Sequence, residues 1–558
     1  MPDQLLDRLD QWKSRFGPAP AGQLERLLAA IAGRRFRVPG ELIRLHETLL
    51  FLRAYPLSPQ VARLADQMLS SFAGRIAGLP AGGDLSPFEE PEVSGIAGTS
   101  LSAVFSYEVA RRLAARHPRS VEIAWDRYQE ADKLGPTIRR FLPLVDEDWP
   151  VEAHVPFREW IAAARPRGRS DLAWLLARLA ALPLGPRERA ELYERMEVPL
   201  TWRMGGHRAS RSRLRLPARS LFCHSEPLLR RGDVSLEREL ESPPLAVRRV
   251  PRRDARKILD LILDASTARY RELYGFSHPD EAGVYHADAG RGVAIFFFGV
   301  PPAWRLPLRA YHAGMFFKNG VPAGYVELLS LFERAEVGFN LYYTFREGES
   351  AWLFARTLRL FRQVLGVTCF SVDPYQIGLE NPEAVDSGAF WFYRKLGFRP
   401  VDPQIAALVE REERRMRQAP GYRSTRRTLE RLAQGYILFE GPGAAPGAWD
   451  NFRVRNLGLA VGRVMARQFA GDPERLRSAA RSQAARTLGI DSSSGLALVL
   501  GLVPDLAHWS REEQLAAAQV LQAKERGDEG RYLRLMQRHA HLRAAFLEMG
   551  SHGPALLR

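Results

Sequence analysis

Cysteine is nearly absent: Cys223 and Cys369 are the only two in 558 residues. Two thiols make no disulfide framework, and no Cys/His spacing resembles a zinc site, so the chain reads as metal-free and suited to a reducing cytoplasm. Long apolar runs are missing as well. VAIFFFGVPPAW and GLALVLGLVP are the longest, well short of the ~20 residues a membrane helix needs. The opening residues MPDQLLDRLDQW are acidic and amphipathic, with neither the basic nor the apolar segment of a secretion signal. Membrane insertion and secretion are not expected.

Acidic residues are in deficit, 64 against 80 Lys and Arg, a formal charge of +16. Such an excess suits an anionic partner: nucleic acid, phospholipid headgroups or a phosphate-rich cofactor. Most of the basic residues are arginines spread along helices, the pattern of a solvated face. RMGGHRASRSRLRLPAR, 203–219, differs in holding six arginines and no acid. No nucleic-acid-binding motif accompanies it. What the chain has in quantity is 46% hydrophobic and 26% charged residues, the mixture of a folded globular protein. Its length suggests three or four domains.

Residues 1–200 read as mainly helical, because QLERLLAAIAGRRF, LIRLHETLLFLRAY and DLAWLLARLAAL repeat apolar residues at three- and four-residue spacing. Within them SGIAGTS, 94–100, lacks the lysine and preceding strand of a phosphate loop and is expected to lead into a helix starting near Ser106. Residues 201–244 form an Arg/Pro-rich connection. Residues 245–440 change texture to mixed strands and helices, and 441–558 return to helix. No internal repeat is evident.

The central segment is the informative one. A strand over 245–250 leads to a helix with Asp254 as its cap. FFKNGVPAGYVE places Asn319 and Gly320 between two strand runs, the signal for a tight hairpin. The next strand alternates: Val337, Phe339, Leu341, Tyr343 and Phe345 on one face, Gly338, Asn340, Tyr342 and Thr344 on the other. A short polar loop then enters a helix with Ser350 as cap, an apolar stripe of Phe354, Leu358, Phe361 and Leu365, and Gly366 just past its end. Such a helix start offers unpaired N–H groups and partial positive charge, an anion site that Arg346 reinforces. A strand over 367–372 is expected parallel to the first by a right-handed crossover. Last comes a helix from Asn381 to Gly397, with Val385, Ala389, Phe392 and Leu396 facing the core and Tyr393 off that stripe.

Hairpin, strand, anion loop, helix, strand and a helix ending FYRKLGF: this order resembles the GNAT acyltransferase superfamily over roughly residues 245–440, and SGAFWFYRKLGF is its most specific piece. The resemblance implies an α/β (α+β) fold with a central mixed sheet, here flanked by mainly α-helical N- and C-terminal regions. It implies binding of acetyl-CoA or another acyl-CoA and transfer of the acyl group to an amine. The pyrophosphate loop then falls on Arg346, Glu347, Gly348, Glu349, Ser350 and Ala351. Glu349 stands where the family has a glycine, and Gly348 is one position early. An acid there is tolerable only if it points away. Asn381 matches the asparagine that contacts the pantetheine arm, and Tyr393 the tyrosine that protonates the departing thiolate. Backbone N–H groups along Phe339, Asn340, Leu341 and Tyr342 would polarise the thioester carbonyl.

The attacking amine must lose a proton, and Glu327 is the first candidate base, with Glu336 and Asp373 behind it. Each residue also has a plain structural reading. Tyr393 packs at a helix end, Asn381 caps a helix, Arg346 pairs with Glu347 or Glu349, and Trp391 and His312 pack. Three functions follow: an N-acyltransferase acting on a small-molecule or protein amine, a catalytically degenerate domain that binds or scaffolds, and an RNA- or tRNA-linked protein using the 203–219 arginines. Large helical flanks leave room for a homo-oligomer.

Overall fold

The fold is laid out in a computed structural model that describes residues 2–80, 83–129, 131–142, 157–217, 220–270, 272–503 and 505–551. Prolines start the early helices: Pro18–Ala32, Pro39–Ala54 and Pro59–Ser70 each begin on one, where its missing N–H costs nothing. Ser58 caps the last of these, accepting the Val61 N–H at 3.1 Å. Pro39–Ala54 is buried along most of its length, with His46, Thr48 and Arg53 taken inside with it. Three short strands, β1 (Ser100–Val104), β2 (Val121–Ile123) and β3 (Pro199–Arg203), form an antiparallel sheet in the order β1-β3-β2. They lie in the segment expected to be helical. None exceeds five residues, too few for an alternation to stand out from the helical periodicity around it. The helix expected near Ser106 is present as Tyr107–Arg116.

The central segment builds a nine-stranded sheet: β4 (Ala246–Arg249), β5 (Tyr285–Gly290), β6 (Val293–Gly299), β7 (Ala310–Lys318), β8 (Val321–Leu331), β9 (Arg334–Leu341), β10 (Cys369–Val372), β11 (Arg399–Pro400) and β12 (Ile437–Glu440). Its order is β11-β12-β10-β9-β8-β7-β6-β5-β4. β9 and β10 are the parallel pair, joined by the helix Ser350–Leu365; the other neighbours are antiparallel. Asn319 and Gly320 form the β7–β8 turn with φ of 48° and 79°, the left-handed pair such a turn requires. Asn319 does more than turn the chain. Its amide donates to the Ala54 and Phe222 carbonyls at 2.8 and 2.9 Å, tying the hairpin to the N-terminal region.

Both faces of this sheet are covered, which is why VAIFFFGV shows no alternation. Tyr311, Ala313, Met315 and Phe317 of β7 join a core with the N-terminal helices. On the other face Phe316, Val326, Leu328 and Val337 join one with Ser350–Leu365 and the C-terminal helices, among them Glu529–Arg538 and Ala540–Ser551. No helix among the described residues is long and apolar enough to cross a membrane.

Four local expectations need correction. β9 stops at Leu341, and Tyr343–Phe345 is a 3-10 turn, so the alternation expected through Phe345 ends early. Asp254 lies in the first turn of Arg252–Thr267 rather than at its cap, which is Pro251. Ser350 is the first helical residue and its hydroxyl donates to the Arg346 carbonyl at 2.8 Å, with Glu349 at the cap position. The stretch after Asn381 is two helices, Pro382–Asp386 and Ala389–Arg394, broken at Gly388 with φ 66°. That break resets the helical phase. Val385 and Leu396 remain buried, Ala389 and Phe392 are half-buried, and Phe390, Trp391 and Tyr393 turn inward instead.

Candidate functional site

The parallel pairing of β9 with β10 lasts three residues, Arg334–Cys369, Ala335–Phe370 and Glu336–Ser371. β9 then runs on to Leu341, while β10 ends at Val372 and the chain leaves into Pro374–Ile377. The edge of β9 beyond Glu336 is therefore left without a strand partner. Alternation says which groups it exposes. The Tyr342 N–H donates to the Ala323 carbonyl of the preceding strand at 3.0 Å, and the Glu333 carbonyl accepts from Thr368 and Cys369 on the β10 side. Even-numbered residues thus spend their backbone groups on β8, and the N–H groups of Phe339 and Leu341 point into the gap. The N–H groups of Asn340 and Tyr342, expected to share this role, do not.

A cavity of about 260 Å³ fills the gap. Phe339, Asn340, Leu341, Arg346, Ser350, Asn381 and Tyr393 line it, so seven of the residues singled out from sequence converge here from segments up to fifty-four positions apart. Gln376, Glu383, Ala384, Ser387, Ala389 and Phe392 complete its wall and were not foreseen there. The Tyr393 ring packs edge-on against Phe354, Phe392 and Phe398. Its hydroxyl makes no hydrogen bond among the described residues, and burial pushes its pKa well up. Asn381 caps Pro382–Asp386 through the Ala384 N–H at 3.2 Å and donates to the Tyr375 carbonyl at 3.0 Å. Arg346 pairs with Glu383 rather than with Glu347 or Glu349 and also reaches the Leu341 carbonyl at 3.4 Å. Glu347 instead meets Lys13 at 3.3 Å.

Gly348, Glu349 and Ala351 do not line this cavity. Glu349 turns inward, 2% exposed, where Arg291 meets it at 2.5 Å, Lys318 at 3.5 Å and the Leu229 N–H at 3.2 Å. Burial by itself would raise this carboxyl; the Arg291 hydrogen bond and the Lys318 charge outweigh it and hold the pKa below the usual range. Burial likewise lowers Lys318 to about 8, against the pull of Glu349. The Lys318 ammonium also lies over the Tyr55 and Phe222 rings, 4.6 and 5.1 Å from their centroids. Gly348 sits so close to Tyr55 that a Cβ there would lie 2.5 Å from the phenol oxygen. The acid that departs from the family pattern is thus an anchor, and the loop is held from behind.

The N-terminal region supplies that support, which no local signal announces. Glu47 bonds the Thr344 hydroxyl and pairs with Arg211 at 2.7 Å. Its carboxyl, opposed by burial, is lowered to about 2 by Arg211 and His46. His46 bridges Glu47 and the Ser212 hydroxyl, both at 2.9 Å, and burial lowers it to about 4. The only sequence trace of this contact is Gly348 itself, a loop residue without a Cβ.

Glu327 is not in the cavity. It lies opposite Gly338 in the β8–β9 register, accepts a hydrogen bond from the Tyr311 hydroxyl, and is raised by burial. Glu336 and Asp373 line a separate cavity of about 750 Å³, Glu336 with Arg309 at 3.3 Å and Asp373 beside Tyr436, whose phenol burial and these two acids push to about 12. Trp391 donates to the Ser424 hydroxyl at 3.2 Å and packs, and His312 is buried, which lowers it to about 4. No family model, no curated protein and no solved structure matches the chain.

Proposed function

We propose that the chain is an acyl-CoA-dependent N-acyltransferase, with acetyl-CoA as the first donor to test. The observation that carries this reading is the parallel β9–β10 pair that parts after three residue pairs, with Phe339 and Leu341 N–H groups directed into the gap and a Tyr393 phenol that has no hydrogen-bond partner among the described residues, all on one cavity. An acyl thioester brings an electrophilic carbonyl and a thiolate leaving group. The Leu341 N–H orients and polarises that carbonyl. The Tyr393 phenol, kept protonated by its raised pKa, donates to sulfur as charge develops there. Ser350–Leu365 offers its first N–H groups to the pyrophosphate, with Glu349 turned out of the way. The proton of the attacking amine goes to a carboxylate or an ordered water; Glu327, opposite Gly338 in the β8–β9 register and raised by burial, is the candidate carboxylate and would act from outside the cavity wall. The acceptor is a small-molecule or protein amine.

The Arg346–Glu383 pair favours a second reading, a domain that binds its ligand without turnover, because a guanidinium already paired has less to give a pyrophosphate. Isothermal titration with acetyl-CoA, followed by acetyl-CoA consumption over a panel of primary amines, separates the two. Binding with consumption supports the enzyme. Binding without consumption supports the second reading, and no binding at millimolar acetyl-CoA overturns the enzyme reading.

A further inference from the structure

Seven cations from distant stretches of the chain wall one cavity of about 1030 Å³, and carboxylates answer only some of them. Asp66 meets Arg53 at 3.5 Å and Arg215 at 3.0 Å, and Asp264 meets Arg116 at 3.0 Å. Among the described residues no other carboxylate lines the cavity. Arg63 and Arg208 make no hydrogen bond or ion pair among the described residues. Among the described residues Arg213 bonds only the Gly206 carbonyl, at 2.5 Å. Lys257 has its nearest carboxylate, Asp254, at 3.9 Å with both side chains well exposed.

The arginine-rich stretch 203–219 is therefore not one uniform solvated face. Arg211 goes inward and is neutralised by Glu47. Arg208, Arg213 and Arg215 stay on the cavity wall, where the fold adds Arg63 from Pro59–Ser70 and Lys257 from Arg252–Thr267. Like charges gathered on a concave wall repel one another, and low-dielectric walls concentrate their field into the hollow. Guanidinium forks match phosphate oxygens in pairs, and several forks spread around a hollow of this size exceed what one phosphate can use. We propose that this cavity binds a ligand carrying two or more linked phosphate groups. It shares no lining residue with the β9–β10 cavity, so it stands whether or not that cavity transfers acyl groups.

Calorimetric titration of the full chain with inorganic tripolyphosphate and with a single-stranded RNA octamer tests this. Wild type is expected to bind tripolyphosphate, and Arg63→Ala/Arg208→Ala, both exposed and unpaired, to bind it about tenfold more weakly or worse. Arg475→Ala/Arg486→Ala removes the same charge from the exposed face of Pro473–Leu488 and should bind as wild type does. Affinity should fall linearly in log–log form with salt, less steeply for the cavity variant. Tighter binding of the octamer than of tripolyphosphate, lost in the same variant, would place the phosphates on a nucleic-acid backbone; weaker binding would place them on a free oligophosphate. Failure of wild type to bind either probe overturns the proposal, as does an equal loss in the two double variants.

Discussion

Tyr393→Phe removes one oxygen atom from the β9–β10 cavity and nothing else. Its cost to the fold can be worked out from what that oxygen touches. The ring stays edge-on to Phe354, Phe392 and Phe398, so the aromatic packing survives. The hydroxyl has no hydrogen-bond partner among the described residues, so no donor or acceptor is orphaned by its loss. Stability should therefore change by no more than ~0.5 kcal/mol, and the melting temperature should hold. The cost to catalysis is different in kind. A general acid contributes ~100- to 10,000-fold, or about 3–5 kcal/mol of barrier. Acetyl-CoA consumption with a panel of primary amines is expected to drop by that factor while acetyl-CoA still binds by calorimetry. Turnover above half of wild type in a fully folded variant would refute the acid role and leave Tyr393 as a packing residue.

Glu349→Gln breaks a buried pair while leaving Lys318 charged and inside, so a loss of ~3–5 kcal/mol is expected, read as a lowered melting temperature. Glu349→Gln/Lys318→Met should recover much of it; additive losses would show that the two do not interact. Gly348→Ala would force a Cβ against the Tyr55 phenol, and a loss of ~1–3 kcal/mol with weaker acetyl-CoA binding is expected; a wild-type melting temperature would contradict the close contact. His46 has its pKa depressed from 6.5 to about 4 by burial, so the unfolded chain takes up a proton that the fold refuses. Its contribution is complete above pH 6.5 and is lost as pH falls from 6.5 towards 4, at most ~3 kcal/mol. Denaturant midpoints across that window should be flatter for His46→Gln, and an unchanged slope would assign the acid sensitivity elsewhere.

Local chemistry made much of the centre legible. Asn319 and Gly320 specify a turn because only left-handed residues fit it, and both adopt that geometry. Gly366, with φ 71°, ends Ser350–Leu365 for the same reason. The β9–helix–β10 order, and with it the parallel pairing, follows from a strand, a short loop and an amphipathic helix in succession. Two of the misreadings share one cause, a periodicity extended past a break. Gly388 interrupts the stretch after Asn381 and shifts the phase that placed Phe392 inside and Tyr393 outside, and the turn at Tyr343–Phe345 cuts the strand short.

The sequence by itself determined seven of the residues that meet at the β9–β10 gap, because turns, caps and helix lengths are short-range and fix that path, but it did not exclude Gly348, Glu349 and Ala351. Tertiary structure alone decided what those residues can do there. Glu349 reads as an intruder until Arg291 and Lys318 are seen drawing it away, and the arginines of 203–219 read as one basic run until folding sends Arg211 to Glu47, Arg203 to Glu122, and Arg208, Arg213 and Arg215 to a shared wall. Tyr55 and Glu47 brace the loop from almost three hundred residues away. Contacts over that separation are set by how whole elements pack, and packing leaves no period or spacing in the chain to read.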